Sequence, residues 1–256
     1  MQQKNILALS ALLLLCSLAL SARPRIVAHR GYWRCAGSAQ NSVYALQMAR
    51  KIGAWASEFD VHITRDGVLV VNHNDDIGGI RIEDSDYRYI SSQRLSNGEP
   101  LPTLDTYLKA AKPLKGLRLV LELKAHATPE KERRLVDSVY VAVKRSGLEK
   151  RIIYTSFSLY ACRQMRLKAP KATILYLKGG LPPEEIKRLG LSGMNYHPAE
   201  WTHHPRWMEQ ARKLGLITGV WTMDNLELVE KFGRMGACFV SSNSPLQAIA
   251  LVKKLK

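Results

Sequence analysis

The first half of the chain carries two histidines, an arginine, a lysine and three carboxylates at the ends of apolar segments. His29, Arg30 and Gly31 follow the run Ile26-Val27-Ala28. Glu58 and Asp60 flank Phe59, and an Asp66-Gly67 turn leads back through residues 68–71 to His73. Later, Leu121-Glu122-Leu123-Lys124 again places charge at the end of an apolar stretch. Residues two apart on a strand share a face, so Glu58 goes with Asp60 and Glu122 with Lys124. Three carboxylates on neighbouring strands make a hard oxygen site suited to Mg²⁺ or Ca²⁺. Arg30 and Lys124 offer positive charge to an anionic oxygen, one as a planar fork and one as a point charge. His29 and His73 suit a general base and a general acid. A divalent ion, two cations and two proton carriers together are what cleavage of a phosphodiester needs.

For these side chains to meet, the elements carrying them must converge. Apolar strand-like runs fall at 26–28, 55–60, 68–71, 117–122, 152–156, 173–177, 193–196, 217–221 and 238–241. Amphipathic stretches at 42–52, 129–146, 159–168, 183–189, 205–214, 225–234 and 245–253 read as helices. Asn41 or Ser42 suits the cap of the first, and Leu101-Pro102-Thr103-Leu104 reads as a further helix entry. Such alternation predicts a parallel sheet covered by helices. One of the runs is surplus to an eight-stranded barrel. Only residues 64–67 separate 68–71 from the strand before it, too few for a parallel crossover. Asp66-Gly67 is a hairpin signal, so 68–71 is expected to return antiparallel, beyond the carboxyl end of its neighbour. A two-residue turn centred between Asp66 and Gly67 would set Asp60 opposite His73. The remaining eight strands predict an α/β fold, a (β/α)8 TIM barrel with a hairpin excursion. Active sites of such barrels lie at the carboxyl-terminal mouth.

In this order and spacing the motifs resemble the glycerophosphodiester phosphodiesterase family of barrels. The resemblance runs from His29 to about Pro245 and is densest at His29-Arg30-Gly31, Asn41-Ser42, Glu58-Phe59-Asp60-Val61, Thr64-Arg65-Asp66-Gly67, Val71-Asn72-His73, Leu101-Pro102-Thr103-Leu104, Leu121-Glu122-Leu123-Lys124 and Val220-Trp221-Thr222. It implies a (β/α)8 barrel with an insertion after the second strand, here about 75–101. It implies Glu58, Asp60 and Glu122 as metal ligands, His29 and His73 as acid/base residues, and Arg30 and Lys124 on the phosphate. Trp221 would line a glycerol or head-group pocket. The sequence departs from the family at three places, where Glu-Asn-Thr, His-Asp and Thr-Asp become Gln40-Asn41-Ser42, His73-Asn74 and Ser242-Asn243. Each replaces a carboxylate near the mouth with an amide.

The remaining composition speaks to compartment and partners. Lys4 precedes an apolar run from Ile6 to Leu20 with small residues at Ser21-Ala22, the pattern of an export signal over residues 1–22. Residues 23–256 then form one barrel domain, periplasmic or secreted. Leu13-Leu14-Leu15-Cys16 resembles a lipoprotein box, although Leu15 is bulky for one, so a lipid anchor at Cys16 is a second reading. The net charge of +16 favours anionic small molecules and an anionic membrane surface as partners; no nucleic-acid partner is expected. Cys35, Cys162 and Cys238 fit no zinc spacing and read mainly as small buried hydrophobes, with one disulfide as the alternative.

Structural roles compete at each position. His29 alone suits a core histidine, Glu58 and Asp60 suit ion-paired strand residues, Arg30 suits their counter-charge, Lys124 suits the surface and Trp221 the core. His203 and His204 read as surface loop. The expected reaction is metal-dependent hydrolysis of glycerophosphodiesters to an alcohol and glycerol 3-phosphate. The alternatives are phospholipase D- or C-like cleavage of intact lipids, and an impaired barrel that only binds phosphorylated ligands.

Overall fold

The computed structural model describes residues 23–255. The export-signal and lipid-anchor readings fall on residues 1–22, outside the described residues. The strands are β1 (Arg25–Ala28), β2 (Ala56–Ile63), β3 (Leu69–Val71), β4 (Asp76–Ile77), β5 (Ile80–Arg81), β6 (Arg118–Leu123), β7 (Ile152–Ser156), β8 (Thr173–Tyr176), β9 (Gly193–Tyr196), β10 (Ile217–Val220) and β11 (Phe239–Ser242). The helices are α1 (Val43–Lys51), α2 (Tyr87–Ile90), α3 (Leu104–Ala111), α4 (Pro129–Ser146), α5 (Leu159–Lys168), α6 (Pro183–Arg188), α7 (Pro198–His203), α8 (Trp207–Lys213), α9 (Leu226–Arg234) and α10 (Pro245–Lys254).

The sheet runs β1-β11-β10-β9-β8-β7-β6-β2 and closes where β1 pairs β2 in parallel. This is the expected TIM barrel. Alternate strand residues point inward: Val27, Ala56, Val120, Ile153, Leu175 and Phe239 form an apolar plug inside the barrel. The outward residues, such as Phe59, Leu119 and Leu121, join the larger core beneath the helices. The apolar plug fills the barrel's lower part, so the polar residues one step further along each strand collect at the mouth.

Local chemistry fixes the helix starts. Ser42, not Asn41, caps α1, its hydroxyl accepting the Ala45 N–H at 2.9 Å. Thr103 caps α3 and Thr128 caps α4. In α4, Glu130 and Glu132 in the first turn and Lys144 and Arg145 in the last complement the helix dipole. Helix α7 was not anticipated. His197 caps it through Nδ1, which accepts from the Ala199 N–H at 3.3 Å.

Strand β3 is the antiparallel excursion. It pairs with β2 as Val61↔Val71, His62↔Val70 and Ile63↔Leu69, beyond the segment of β2 that pairs β1. The register differs from the expected one by one residue. Asp60 accepts from the Asn72 N–H at 3.1 Å and is not opposite His73. The cause is the turn length. Thr64 closes the loop by bonding Val68 in both directions, through its N–H to the Val68 carbonyl at 2.9 Å and through Oγ1 from the Val68 N–H at 2.9 Å. Three residues, 65–67, therefore remain in the turn, with Gly67 at φ +94° supplying the left-handed position such a loop needs.

The insertion forms a cap with its own core of Val70, Ile77, Ile82, Ile90 and Leu101. It is pinned to the barrel at Glu99, whose carboxylate accepts from the Val43 N–H at 3.0 Å in the first turn of α1. Cys35, Cys162 and Cys238 are all free thiols. Only Cys162 is fully buried, so the reading as buried hydrophobes holds for one of the three.

Candidate active site

The three carboxylates converge as expected. Glu58, Asp60 and Glu122 are buried, at 6%, 1% and 8% exposure. Each offers one oxygen to a cluster whose atoms all lie within 4.8 Å of one another. The parallel register sets Asp60 beside Glu122 on adjacent strands. Three buried anions this close repel one another. Burial pushes Glu58 well above the usual carboxylate range, and Asp60 and Glu122 push it further. Glu122 is raised to about 7 by burial and then by Asp60. Burial would raise Asp60 too, but Lys124, His73 and the Asn41 hydrogen bond together hold it below its ordinary value. Glu58 Oε1 is buried with no hydrogen-bond partner. An all-oxygen donor set with an orphaned carboxylate oxygen fits a hard divalent cation.

Each carboxylate is aimed by a neighbour. The backbone N–H of Arg30 donates to Glu58 Oε2 at 2.7 Å. That N–H is delivered by a left-handed turn, with Arg30 at φ +54° and Gly31 at φ +78°. Gly31 also lies against α1, where a Cβ would come within 2.6 Å of the Ala45 Cβ, so no other residue fits there without displacement. Asn41, also left-handed at φ +61°, clamps Asp60. Its Nδ2 donates to Asp60 Oδ2 at 2.9 Å and its Oδ1 accepts the Asp60 N–H at 3.2 Å. The motif contained Asn41, but its grip on Asp60 is visible only in the fold.

Lys124 Nζ lies 3.1 Å from Glu122 Oε1 and 3.5 Å from Asp60 Oδ1. Burial disfavours its charge, yet those two carboxylates outweigh it and keep the lysine's affinity for its proton above normal. Arg30 reaches Asp60 at 4.0 Å and donates to Gln40 Oε1 at 2.6 Å. Gln40, where the resemblance leads one to expect Glu, thus still orients the guanidinium.

Both histidines face the cavity with Glu58 and Glu122. His29 Nδ1 is 2.8 Å from Asn243 Oδ1, and His73 Nδ1 is 2.8 Å from Asn74 Oδ1. An amide oxygen only accepts, so His29, facing Asn243 Oδ1, carries its proton on Nδ1 and keeps a lone pair on Nε2. His29 Nε2 lies 3.9 Å from Glu58 Oε2. Burial first, then the Arg30 charge, lowers His29 to about 4. His73 is also lowered, chiefly by burial, against the opposing pull of Asp60 and Asn74.

The far wall was mostly missed from sequence. Thr155, Leu177, Asn195 and Ser241 line it together with Trp221 and Thr222. These side chains look like ordinary alternating strand residues, and only closure of the barrel sets them opposite the carboxylates. Trp221 is half-buried wall rather than core. Its indole N–H donates to the Asn195 carbonyl at 2.7 Å, and its ring meets Phe157 edge-on at 5.2 Å. The Trp221–Thr222 peptide is cis. His203 and His204 are exposed and away from the cavity, with His204 stacked on Trp207 at 3.8 Å. The cavity is narrow, about 80 Å³. A larger cleft of about 500 Å³ near Gly67, Asp137 and Arg145 lies on the outer layer. It holds none of the converging carboxylates, which are the one such cluster among the described residues.

Known proteins resemble this chain in sequence and fold. A relative from Caldanaerobacter subterraneus subsp. tengcongensis, a glycerophosphodiester phosphodiesterase, is 26% identical over 245 residues, covering 90% of this chain and 98% of its own. The crystal structure of a glycerophosphodiester phosphodiesterase from Parabacteroides distasonis aligns with a TM-score of 0.89 at 44% identity, covering 90% of this chain and 97% of that one. A phosphodiesterase from Oleispira antarctica, solved with the product sn-glycerol-3-phosphate, has the same fold with a TM-score of 0.78 at 20% identity, covering 91% and 98%. The sequence profile of the Glycerophosphoryl diester phosphodiesterase family matches residues 29–246, a span that takes in every charged residue of the cavity. The chain belongs to the glycerophosphoryl diester phosphodiesterase family.

Proposed function

We propose that this enzyme hydrolyses glycerophosphodiesters to an alcohol and glycerol 3-phosphate, with a divalent cation held by Glu58, Asp60 and Glu122. The observation that carries the reading is the meeting of this carboxylate cluster with two histidines and two cationic side chains at one barrel mouth. The product bound by the Oleispira antarctica phosphodiesterase supports the same chemistry. A bound Mg²⁺ or Ca²⁺ supplies polarisation of a phosphoryl oxygen. Arg30 and Lys124 hold the remaining phosphate oxygens and orient the diester. His29, lowered to about 4 and bare at Nε2, is the base that takes the nucleophile's proton. The nucleophile is water or the neighbouring hydroxyl of the glycerol, the latter through a cyclic phosphate. His73, on the hairpin, takes up a proton from solvent to become the imidazolium, the form that Asp60 favours, and gives that proton to the leaving oxygen. Trp221 packs against the glycerol or head group. Residues 1–22 support export, and the +16 charge supports work near anionic head groups.

Cleavage of intact phospholipids is the second reading, favoured by the same positive charge. The mostly polar lining of the mouth offers little apolar surface to acyl chains and weighs against it. The test is release of glycerol phosphate from glycerophosphocholine, glycerophosphoethanolamine and glycerophosphoinositol, with and without chelator, beside phospholipid vesicles. Full activity in chelator, or in His29→Ala, would sink the mechanism. Stabilisation by these diesters without turnover under any divalent ion would mark a barrel that only binds.

A further inference from the structure

The amide that holds His29 is itself held, and by a carboxylate on another loop. Asn243 Nδ2 donates to Asp224 Oδ2 at 3.0 Å, and the Asn243 backbone N–H donates to Asp224 Oδ1 at 2.8 Å. Ser242 Oγ reaches the same Oδ1 at 3.3 Å. Arg34 anchors Asp224 from the far side at 3.1 Å and donates to Ser244 Oγ at 3.0 Å. On the near side, Asn243 Oδ1 accepts from the Trp33 indole N–H at 3.0 Å and faces His29 Nδ1 at 2.8 Å.

The direction of every bond in this chain is forced. A carboxylate has no proton to give, so the NH₂ of Asn243 must point at Asp224. An indole N–H can only donate, so the oxygen of Asn243 must point at Trp33. The two constraints agree and leave the amide one orientation. Its oxygen can only accept, so neutral His29 carries its proton on Nδ1. The lone pair on Nε2 then faces the cavity. An amide touching a histidine would by itself be free to flip and offer either end.

We propose that Asp224 is a positioning residue that fixes the tautomer and ring orientation of His29 through the Asn243 amide. This rests on the reading of His29 as the base above. It also accounts for the Ser242-Asn243 departure: the negative charge is present but one side chain further from the imidazole. Such supporting residues commonly change activity on the order of 10- to 100-fold when removed. In Asp224→Asn the residue at 224 can no longer accept from both Asn243 donors without a donor–donor clash. The Asn243 amide is then released to turn its NH₂ toward His29, which moves the imidazole proton to Nε2.

The experiment combines nitrogen-15 histidine NMR with kinetics on the full chain. The His29 ring signals are identified by their loss in His29→Gln. The expected result is a proton on Nδ1 in the unsubstituted protein and on Nε2, or on both in exchange, in Asp224→Asn. With glycerophosphocholine, glycerophosphoethanolamine or glycerophosphoinositol, kcat should fall on the order of 10- to 100-fold with KM nearly unchanged. The double variant Asp224→Asn with Asn243→Asp exchanges amide and carboxylate, and should restore both the Nδ1 proton and kcat. A proton on Nε2 in the unsubstituted protein overturns the proposal without any variant having to fold. So does Asp224→Asn with unchanged tautomer, whether active or not, or a double variant whose tautomer is not restored. Full activity of His29→Gln overturns the reading of His29 as base but leaves the tautomer result standing, so the two failures are told apart.

Discussion

The cavity has two unlike walls. Strands β1, β2 and β6 and the hairpin supply His29, Arg30, Glu58, His73 and Glu122, while β7 to β11 and the loop after β10 supply Thr155, Leu177, Asn195, Trp221, Thr222 and Ser241. On the first wall most charged groups are tied to other charges, amides or backbone N–H groups, with Arg30 Nε and Glu58 Oε1 left without a hydrogen bond. On the second, Thr155 Oγ1 and Asn195 Oδ1 are buried without a hydrogen-bond partner. A buried polar atom left unpaired is costly. Under the proposed function, the charged wall would take the phosphate and its protons, and the neutral wall whatever the phosphate is attached to.

That division can be broken by experiment. The largest effect is expected from Glu122→Gln, which removes a carboxylate charge from the proposed cation site and should lower kcat on the order of 1,000-fold. A loss confined to KM would place the chemistry elsewhere. Lys124→Met should lower kcat about 100-fold by removing positive charge from the developing phosphoryl oxygens. A variant with near-normal kcat would return Lys124 to a purely structural partner of Asp60 and Glu122. On the neutral wall, Trp221→Ala should raise KM about tenfold while kcat changes little. A change in kcat as large as that of Lys124→Met would erase the distinction between the walls.

The smallest effect is one of stability. Glu122 titrates near 7 in the folded chain against 4.5 ordinarily, and Glu58 is shifted the same way. Their contribution to the ion-free fold is therefore present below pH 4.5 and is lost as pH rises through 7. Mg²⁺ or Ca²⁺ must displace those protons to bind. Thermal melts should show ion-induced stabilisation of a few degrees at pH 8 and little at pH 5.5. Equal shifts at both values would mean that the carboxylates do not hold the ion.

The charged wall was largely legible in the sequence because each of its residues ends an apolar strand within a short motif. The eight barrel strands were legible for the same reason, and two-residue periodicity put Glu58 with Asp60. What escaped depends on contacts between distant segments. The hairpin register turned on Thr64 bonding Val68, which lengthened the turn by one residue. Asp224 and Asn243 lie on loops after different strands, and nothing in either segment announces their bond. Helix α7 was hidden in a histidine-containing stretch whose cap, His197, is an unusual capping residue.

Glu99 gives the insertion a bearing on the carboxylate cluster that its sequence does not advertise. Its carboxylate takes the N–H groups of Val43 and Tyr44, and Ser42 takes that of Ala45. The start of α1 is thereby fully occupied, and immediately before it stands Asn41, which grips Asp60. The cap is consequently not an interchangeable module. Grafting a shorter connection in place of residues 75–101, to widen the mouth for a bulkier head group, would loosen the footing of Asn41. Such a redesign would trade ion affinity for access unless a carboxylate were kept where Glu99 meets the helix.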